Sequence, residues 1–263
     1  MAVKIVVANK KGGVGKTTTA VNVAGFLADM GHKVLAIDAD SNASLTVSFG
    51  ISPSNGGNGL AEVLEGKCSI NDAVTEAHNI HVVKSKDSLG KIFVSGPAAS
   101  HLKKNELLRF RMEDVDSRYD YIILDTAPDF GPLTYNCLAV ADYVLIPVQY
   151  EHLAVHGLRQ MIDEISDLRE QFFNPNIKIL GIVGTFYQGN NNCKSHLSMI
   201  RERSSDDVFY VFQTYVRKNV RLSECSRDGV PMAFYDLKCH GYEDYKALTA
   251  ELVGRVWSLK CQK

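Results

Sequence analysis

A glycine-rich segment near the start of the chain, NKKGGVGKTTT at residues 9–19, constrains the fold more than any other stretch. It follows an apolar run at residues 3–8 and leads into an apolar-patterned helix at residues 16–30. Its glycines let successive backbone N–H groups converge on an anion, and the helix adds the positive end of its dipole. The order of strand, glycine loop, Lys-Thr and helix therefore predicts a phosphate-binding loop.

The side chains of this loop have predicted roles as well. Lys16 is expected to reach the terminal phosphates of a nucleotide, and Thr17 to place its hydroxyl on the accompanying magnesium ion. The pattern G-x-x-x-x-G-K-[ST] is met except at its first glycine, which falls on Lys10. The residues predicted to contact the nucleotide are Lys11, Gly12, Gly13, Val14, Gly15, Lys16, Thr17 and Thr18.

Two further apolar runs end in carboxylates. Residues 33–37 lead into Asp38 and Asp40, and residues 121–124 lead into Asp125. Such continuous runs are typical of strands covered by helices on both faces, and open parallel sheets bind ligands at the carboxyl ends of their strands. We therefore expect Asp125 at the same sheet edge as the phosphate loop, where it would help to anchor a magnesium ion.

Strand and helix signals alternate along the rest of the chain. Strands are predicted at residues 80–83, 92–95, 143–147, 177–185 and 209–212, and helices at 60–65, 102–115, 153–172, 192–203 and 242–259. This alternation implies an α/β fold with a doubly wound, mostly parallel sheet flanked by helices. The loop at residues 125–131 contains Pro and Gly and is a candidate sensor of the terminal phosphate. Without repeats or long linkers, we predict one domain over residues 1–263.

Composition bears on partners and compartment. The net charge of −1 gives no global reason to expect nucleic acid or a membrane, so either partner would have to use a local patch. The six cysteines are scattered without C-x-x-C spacing, which is typical of reduced thiols in the cytosol. The first strand follows Met1 directly and no apolar run is long enough to span a membrane, so neither a signal peptide nor a transmembrane segment is expected.

With these segments in view, the chain resembles the ParA and MinD group of deviant Walker-A ATPases with a P-loop fold, and most closely the short, Soj-like ParA partition ATPases. The similarity runs nearly end to end and is most specific at KKGGVGKTTT (residues 10–19) and YDYIILDTAP (residues 119–128). Residues 37–40, 145–151 and 219–224 also match. The resemblance implies slow, partner-stimulated hydrolysis of ATP to ADP and phosphate, with Mg²⁺ as cofactor, in a homodimer that sandwiches two nucleotides.

The resemblance also implies roles for individual residues. Lys11 matches the signature lysine that crosses to the phosphates of the other protomer, where its charge would act like an arginine finger. Asp40 matches the aspartate that positions or activates the attacking water. Together with Lys16 these form the implied catalytic set. The residues implied at the magnesium site are Thr17, Asp38 and Asp125.

Three departures from the family pattern limit this transfer. Ser41 and Asn42 follow Asp40 where Pro-Gln is usual, which leaves the geometry on the water side open. Asp129 stands where serine is usual and adds a negative charge. Arg217 replaces a proline, which leaves the adenine contacts open.

The family further implies that the ATP-bound dimer coats DNA without sequence preference and that a cargo-bound, ParB-like protein triggers hydrolysis. The protein would then be cytoplasmic and associated with the nucleoid. A cluster of basic residues is the predicted DNA surface. Acidic residues are interleaved with it, so an ordinary solvated surface is the alternative. The cluster consists of Arg201, Arg203, Arg217, Lys218, Arg221 and Arg227.

Two other functions stay open on the sequence. A MinD-like, membrane-surface positioning ATPase would need an amphipathic helix at the C-terminus. The apolar stripe there fits a helix packed on the domain instead, and no stable membrane association is expected. A nucleotide-switched scaffold with little hydrolysis is the other alternative, and the altered loop after Asp40 motivates it. The apolar stripe of the C-terminal helix, which bears on the membrane alternative, consists of Leu248, Leu252, Val256 and Leu259.

Overall fold

The protein is described by a computed structural model that covers residues 1–112, 115–151, 154–171, 173–204 and 209–261. The strands are β1 Val3–Val7, β2 Val34–Ala39, β3 Val74–Ala77, β4 Ile80–Val83, β5 Tyr121–Thr126, β6 Tyr143–Gln149 and β7 Lys178–Thr185. They form one sheet in the order β3-β4-β2-β5-β1-β6-β7. Every pairing is parallel except that of β3 with β4, which confirms the predicted mostly parallel, doubly wound sheet.

Helices cover both faces of this sheet. They are α1 Lys16–Asp29, α2 Ser44–Ser48, α3 Leu60–Leu64, α4 Pro132–Val140, α5 Ala154–Glu170, α6 Asn191–Glu202, α7 Val220–Asp228 and α8 His240–Cys261. Successive strand side chains point to opposite faces. Along β1, Val6 therefore joins a core cluster with residues of α4 and α5, whereas Ile5 and Val7 join a cluster with residues of α1 and α8. Burial on both faces explains the uninterrupted apolar runs.

The apolar stripe of the last helix lies in the core. Its four residues are at most 8% exposed and belong to the cluster beneath α1 and α8. The stripe thus packs on the domain, as the sequence predicted. Among the described residues, no helix combines the length and the apolar character needed to cross a bilayer.

Two predicted elements between β4 and β5 are wrong. Residues 92–95 form turns instead of a strand, and the region of the predicted helix at 102–115 contains turns and a short 3-10 helix, Leu107–Arg111. The side chain of Asn136 accepts a hydrogen bond from the Leu108 amide and donates to the Lys104 carbonyl. These bonds take backbone groups that a regular α-helix would pair internally. Residues 113 and 114 lie outside the described part of the chain.

The predicted strand at residues 209–212 is only a bridge to the sheet. Ile182 of β7 exchanges backbone hydrogen bonds with Tyr210 and Phe212. The pairing stops there because the amides of Gln213 and Thr214 donate to the carboxylate of Glu251 instead of to a strand. The predicted helix at 153–172 is α5, and both of its predicted end residues, 153 and 172, lie outside the described residues.

Gly184 of β7 provides a test of the packing beside the sheet. A Cβ on Gly184 would overlap the ring of Tyr150, which is buried. We expect Gly184→Ala to lower the free energy of unfolding by about 1–3 kcal/mol, because atoms added to a filled core force strain. Gly254→Ala in α8 is the matched control, since its Cβ would meet no atom within 4 Å. Chemical denaturation measures both; wild-type stability of Gly184→Ala would contradict the packing.

Candidate functional site

The glycine-rich loop joins β1 to α1 and presents an open backbone. Gly13 and Gly15 have φ angles of 72° and 83°, in the left-handed region that glycine adopts without strain. A Cβ on Gly13 would meet nothing within 4 Å. Because Gly15 is the N-cap of α1, no capping side chain satisfies the first N–H groups of that helix. The loop and the helix N-terminus together form a concave set of backbone donors suited to an anion.

Lys16 is the first residue of α1 and its side chain is almost fully buried. Its Nζ donates a hydrogen bond to the carbonyl oxygen of Lys11 at 3.2 Å. Burial lowers the pKa of Lys16, and the carboxylates of Asp125, Asp40 and Asp129 partly oppose this shift. The ammonium therefore lies beneath the loop, where burial disfavours its charge and the nearby carboxylates favour it.

The carboxylates of Asp38 and Asp125 lie side by side at the carboxyl edge of the sheet. The two residues are register partners in the parallel pair of β2 with β5. Burial, followed by the charge of Asp38, raises the pKa of Asp125 well above its usual range. Burial also raises the pKa of Asp38 to about 6, although hydrogen bonds from Thr46 and the Asp40 amide oppose this. Two buried acids in this position favour a cation nearby.

The residues at this edge fit a magnesium ion that arrives with a nucleotide. Thr17 Oγ1 donates to Asp125 Oδ2 at 2.7 Å, while Asp125 Oδ1 is buried without a hydrogen-bond partner. The described residues contain no cluster of three His, Cys, Asp or Glu side chains able to hold a metal alone. Magnesium usually needs only one or two carboxylates, because waters and substrate phosphates complete its coordination.

Asp40 lies two residues beyond Asp38, where β2 ends. It is buried, and its Oδ1 accepts a hydrogen bond from the Asn42 amide at 2.9 Å. Asp40 lines a cavity of about 440 Å³ together with the glycine loop, Thr17 and Pro128. The structure thus places the phosphate loop and the carboxylates at 38, 40 and 125 together at one sheet edge, which is the placement that the sequence predicted.

Thr46 of α2 is a site residue that sequence reasoning missed. Its hydroxyl and its amide both donate to Asp38 Oδ2, at 2.6 and 2.8 Å, and its hydroxyl also accepts from the Ser85 amide. Thr46 therefore holds the carboxylate of Asp38 against the end of β4. A threonine eight residues after an aspartate has no sequence signal that distinguishes it from a surface residue.

Two amides that anchor the glycine loop were also missed. Asn9 donates to the carbonyl of Pro147 at 2.7 Å, and Gln149 donates to the carbonyl of Gly13 at 2.9 Å. Both bonds tie the loop to β6, the strand next to β1. The match at residues 145–151 was the available signal, but it assigned no role to Gln149.

Lys11 extends from the loop to a carboxylate that follows β6. Its Nζ lies 2.7 Å from Oε2 of Glu151, and the two side chains are 41% and 61% exposed. Water screens such an exposed pair, so it holds the lysine only weakly. Lys11 is thus within reach of solvent, whereas Lys16 is enclosed under the loop.

A second cavity, of about 300 Å³, opens beside Gly15 and Thr18. Arg217 and Asn219 line it, and Tyr245 contributes to the wall. The guanidinium of Arg217 binds Asp244 in a bidentate manner, with Nη2 at 2.6 Å from Oδ1 and Nε at 3.0 Å from Oδ2. Arg217, which was predicted to contact DNA, is therefore engaged at a cavity next to the phosphate loop.

Two further members of the predicted DNA surface are held by acidic neighbours. Arg221 lies 2.8 Å from Glu224 and 3.4 Å from Asp236, and Arg227 lies 2.9 Å from Asp228. These exposed pairs reduce the positive charge that the two arginines present.

The remaining three residues of this surface differ in exposure. Arg201 is half-buried, whereas Arg203 and Lys218 are exposed and form no ion pair with any residue that the structure describes. The acidic residues Asp206 and Asp207, which the sequence interleaves with this surface, lie outside the described residues.

Comparisons with known proteins agree with the geometry of the site. The model of a family described as "AAA domain" matches residues 2–179. The chromosome partitioning protein ParA of Myxococcus xanthus is 37% identical over 95% of this chain and 88% of its own. The sporulation initiation inhibitor protein Soj of Bacillus subtilis is 32% identical over 94% of this chain and 97% of its own.

Among solved structures, cobyrinic acid a,c-diamide synthase from Mycobacterium smegmatis, with a bound ATP analog and magnesium, superposes with a TM-score of 0.84. It is 27% identical, and the match covers 98% of this chain and 96% of that one. The relatives, the fold and the phosphate loop lead to one assignment. The chain belongs to the ParA and Soj family of P-loop ATPases.

Proposed function

We propose that this chain is a partition ATPase that hydrolyses ATP in a nucleotide-sandwich homodimer and, in its ATP state, binds DNA without sequence preference. One ATPase domain over residues 1–263 carries out these steps. The observation that supports this most is the pairing of one buried and one exposed lysine in the same loop. Lys16 lies beneath it among buried acids, while Lys11 extends into solvent.

Binding of ATP uses groups that are already arranged. The backbone amides of residues 13–17 and the ammonium of Lys16 bind the phosphates, and the cavity beside Arg217 takes the nucleoside. Thr17 and Asp125, with Asp38 in support, hold Mg²⁺, which neutralises phosphate charge. The magnesium and ATP analog in the cobyrinic acid a,c-diamide synthase support this choice of ligands.

Hydrolysis uses Asp40 and the lysine of the second protomer. Asp40 orients the attacking water, and its hydrogen bond from Asn42 keeps its carboxylate at the wall of the cavity. Lys11 from the opposite protomer supplies positive charge where negative charge develops during phosphoryl transfer. Hydrolysis is slow until a cargo-bound, ParB-like protein stimulates it.

DNA binding in the cytoplasm, on the nucleoid, completes the cycle. Arg203 and Lys218 are the best-suited contacts, because they are exposed and unpaired among the described residues. Contacts to backbone phosphates need only such cations, and they require no base recognition. Release of the protein after hydrolysis would move or space the cargo.

Retention on random-sequence DNA tests this function. With ATP at low salt we expect retention by the wild type and none by Lys16→Ala, since the latter lacks a phosphate ligand. Arg203→Ala and Lys218→Ala should each lower the salt slope of binding by about 1. Arg227→Ala, which removes an ion-paired arginine, is the matched control and should change the slope less. Absence of ATP-dependent retention by the wild type would refute the proposal.

A further inference from the structure

Lys10 stands where the phosphate-loop pattern has glycine, and its side chain reaches a neighbouring helix. Its Nζ donates to Oε2 of Glu164 in α5 at 2.8 Å. Tyr135 in α4 donates its hydroxyl to the other oxygen of that carboxylate at 2.5 Å. The ammonium and the carboxylate are 35% and 20% exposed, so the pair is better shielded from water than the Lys11 pair. Lys10 thus links the phosphate loop to two helices.

The charge states of this cluster follow from its contacts. Burial raises the pKa of Glu164, but the hydrogen bonds from Lys10 and Tyr135 outweigh burial, so that the pKa is lowered overall. Burial and the hydrogen bond to Glu164 raise the pKa of Tyr135 to about 12. At neutral pH the carboxylate is therefore charged and the phenol is neutral. Both hydrogen bonds are charge-assisted, the stronger class of such bonds.

The ammonium of Lys10 also contacts the loop at residues 127–131, which joins β5 to α4. Its Nζ lies 4.6 Å from the centre of the Phe130 ring, within the range of a cation–π interaction. The Phe130 ring meets that of Tyr135 edge-on, with 6.1 Å between their centres. Pro128 in the same loop lies beside Gly12, 4.0 Å from where a Cβ would be. The 127–131 loop therefore rests on the phosphate loop at two points.

This loop forms part of the wall of the cavity that contains Asp40. Pro128 lines that cavity, and the loop begins two residues after Asp125. A shift of the loop would change this wall directly. Lys16 and the glycines belong to a separate segment, and the loop acts on them only through Pro128 and the charge of Asp129. A change in the loop position is therefore expected to alter hydrolysis more than phosphate binding.

We propose that Lys10 and Glu164 are positioning residues that hold residues 127–131 against the phosphate loop and thereby set the rate of ATP hydrolysis. This inference rests on the proposed ATPase function. The described contacts of the two side chains include none of the three proposed catalytic residues, and they act through Phe130 and Tyr135.

Lys10→Met tests the inference, because methionine keeps most of the aliphatic length and removes the charge. In the full chain we expect kcat for ATP to fall at least about fivefold while KM stays within about twofold, since the phosphate ligands are unchanged. Lys10→Arg keeps the cation and should restore most of kcat. Lys86→Met is the matched control: Lys86 forms an ion pair of similar burial with Glu62, at 3.0 Å, and should leave kcat unchanged.

Hydrogen exchange without nucleotide provides a second readout. The amides of residues 127 and 129–131 should exchange faster in Lys10→Met than in the wild type or in Lys86→Met, because the loop has lost a contact. In a double-mutant cycle, Phe130→Leu should add little to the kcat loss of Lys10→Met, since both remove the same interaction.

Three results would overturn the inference. They are an unchanged kcat in Lys10→Met, a change in KM as large as the change in kcat, and kcat losses that multiply in the double variant. Wild-type exchange at 127–131 in Lys10→Met would overturn it as well. A wild type without ATP hydrolysis would instead refute the ATPase function, and the exchange experiment would still show whether Lys10 holds the loop.

Discussion

Replacing Lys11 with alanine is expected to abolish ATP hydrolysis and to weaken the ATP-dependent dimer while the fold stays intact. Lys11 is exposed and its only described side-chain contact is with Glu151, so its loss leaves no gap in the core. In the proposed dimer the same ammonium meets the phosphates of the other protomer. Removal of a cation supplied across such an interface costs about 10³–10⁵ in kcat in comparable phosphoryl-transfer enzymes.

Phosphate release and light scattering with and without ATP measure this expectation. Lys67→Ala is the matched control, because Lys67 is also an exposed lysine paired with a glutamate, Glu65 at 2.6 Å, but lies outside the glycine loop. It should hydrolyse ATP and dimerise like the wild type. Normal hydrolysis by a monomeric Lys11→Ala protein would contradict the proposed mechanism at its most specific point.

Asp40→Ala is expected to give the second largest loss of ATP hydrolysis, with nucleotide binding preserved. Asp40 lines the cavity, but its described hydrogen bonds go to Asp38, Asn42 and Ala43 rather than to the glycines or Thr17, so ATP should still bind. A group that assists proton transfer or orients water contributes about 10²–10⁴ to the rate. We therefore expect kcat to fall by that factor, while the ATP-bound dimer persists and stays on DNA.

Single-turnover phosphate release and nucleotide titration separate these effects. Asp29→Ala, which removes an exposed carboxylate near the end of α1, should hydrolyse ATP normally. Equal rates for Asp40→Ala and the wild type would favour a nucleotide-switched scaffold, in which binding rather than hydrolysis changes the state of the protein.

Much of the site could be predicted because it depends on local order and on a rule for parallel sheets. Strand, glycine loop and Lys-Thr are adjacent in the chain, so Lys16 and Thr17 follow from sequence. Asp38 and Asp125 are far apart in sequence, but both end buried strands, and parallel strands bring such ends to one edge.

The missed features depend on single side-chain contacts across the fold. Thr46 reaches Asp38 from a five-residue helix, and Glu164 reaches Lys10 across 154 positions of sequence. Hydrophobic periodicity does not report such contacts. The incorrect prediction of a helix at 102–115 has the same origin, because the side chain of Asn136, in a different helix, forms hydrogen bonds with backbone groups of this segment.

In the free protomer Glu151 binds Lys11, so this carboxylate competes for the lysine with the phosphate that the proposed dimer would offer it. In the proposed dimer, Lys11 exchanges its contact with Glu151 of its own chain for a contact with a phosphate bound to the other protomer. The lysine therefore pairs with an anion both before and after the dimer forms. The pair with Glu151 forms at the solvent-exposed end of the lysine side chain, where screening weakens it. The affinity between protomers then reflects the difference between two ion pairs rather than the full strength of one. Association governed by such a difference is readily reversed, which suits a cycle of repeated assembly and release.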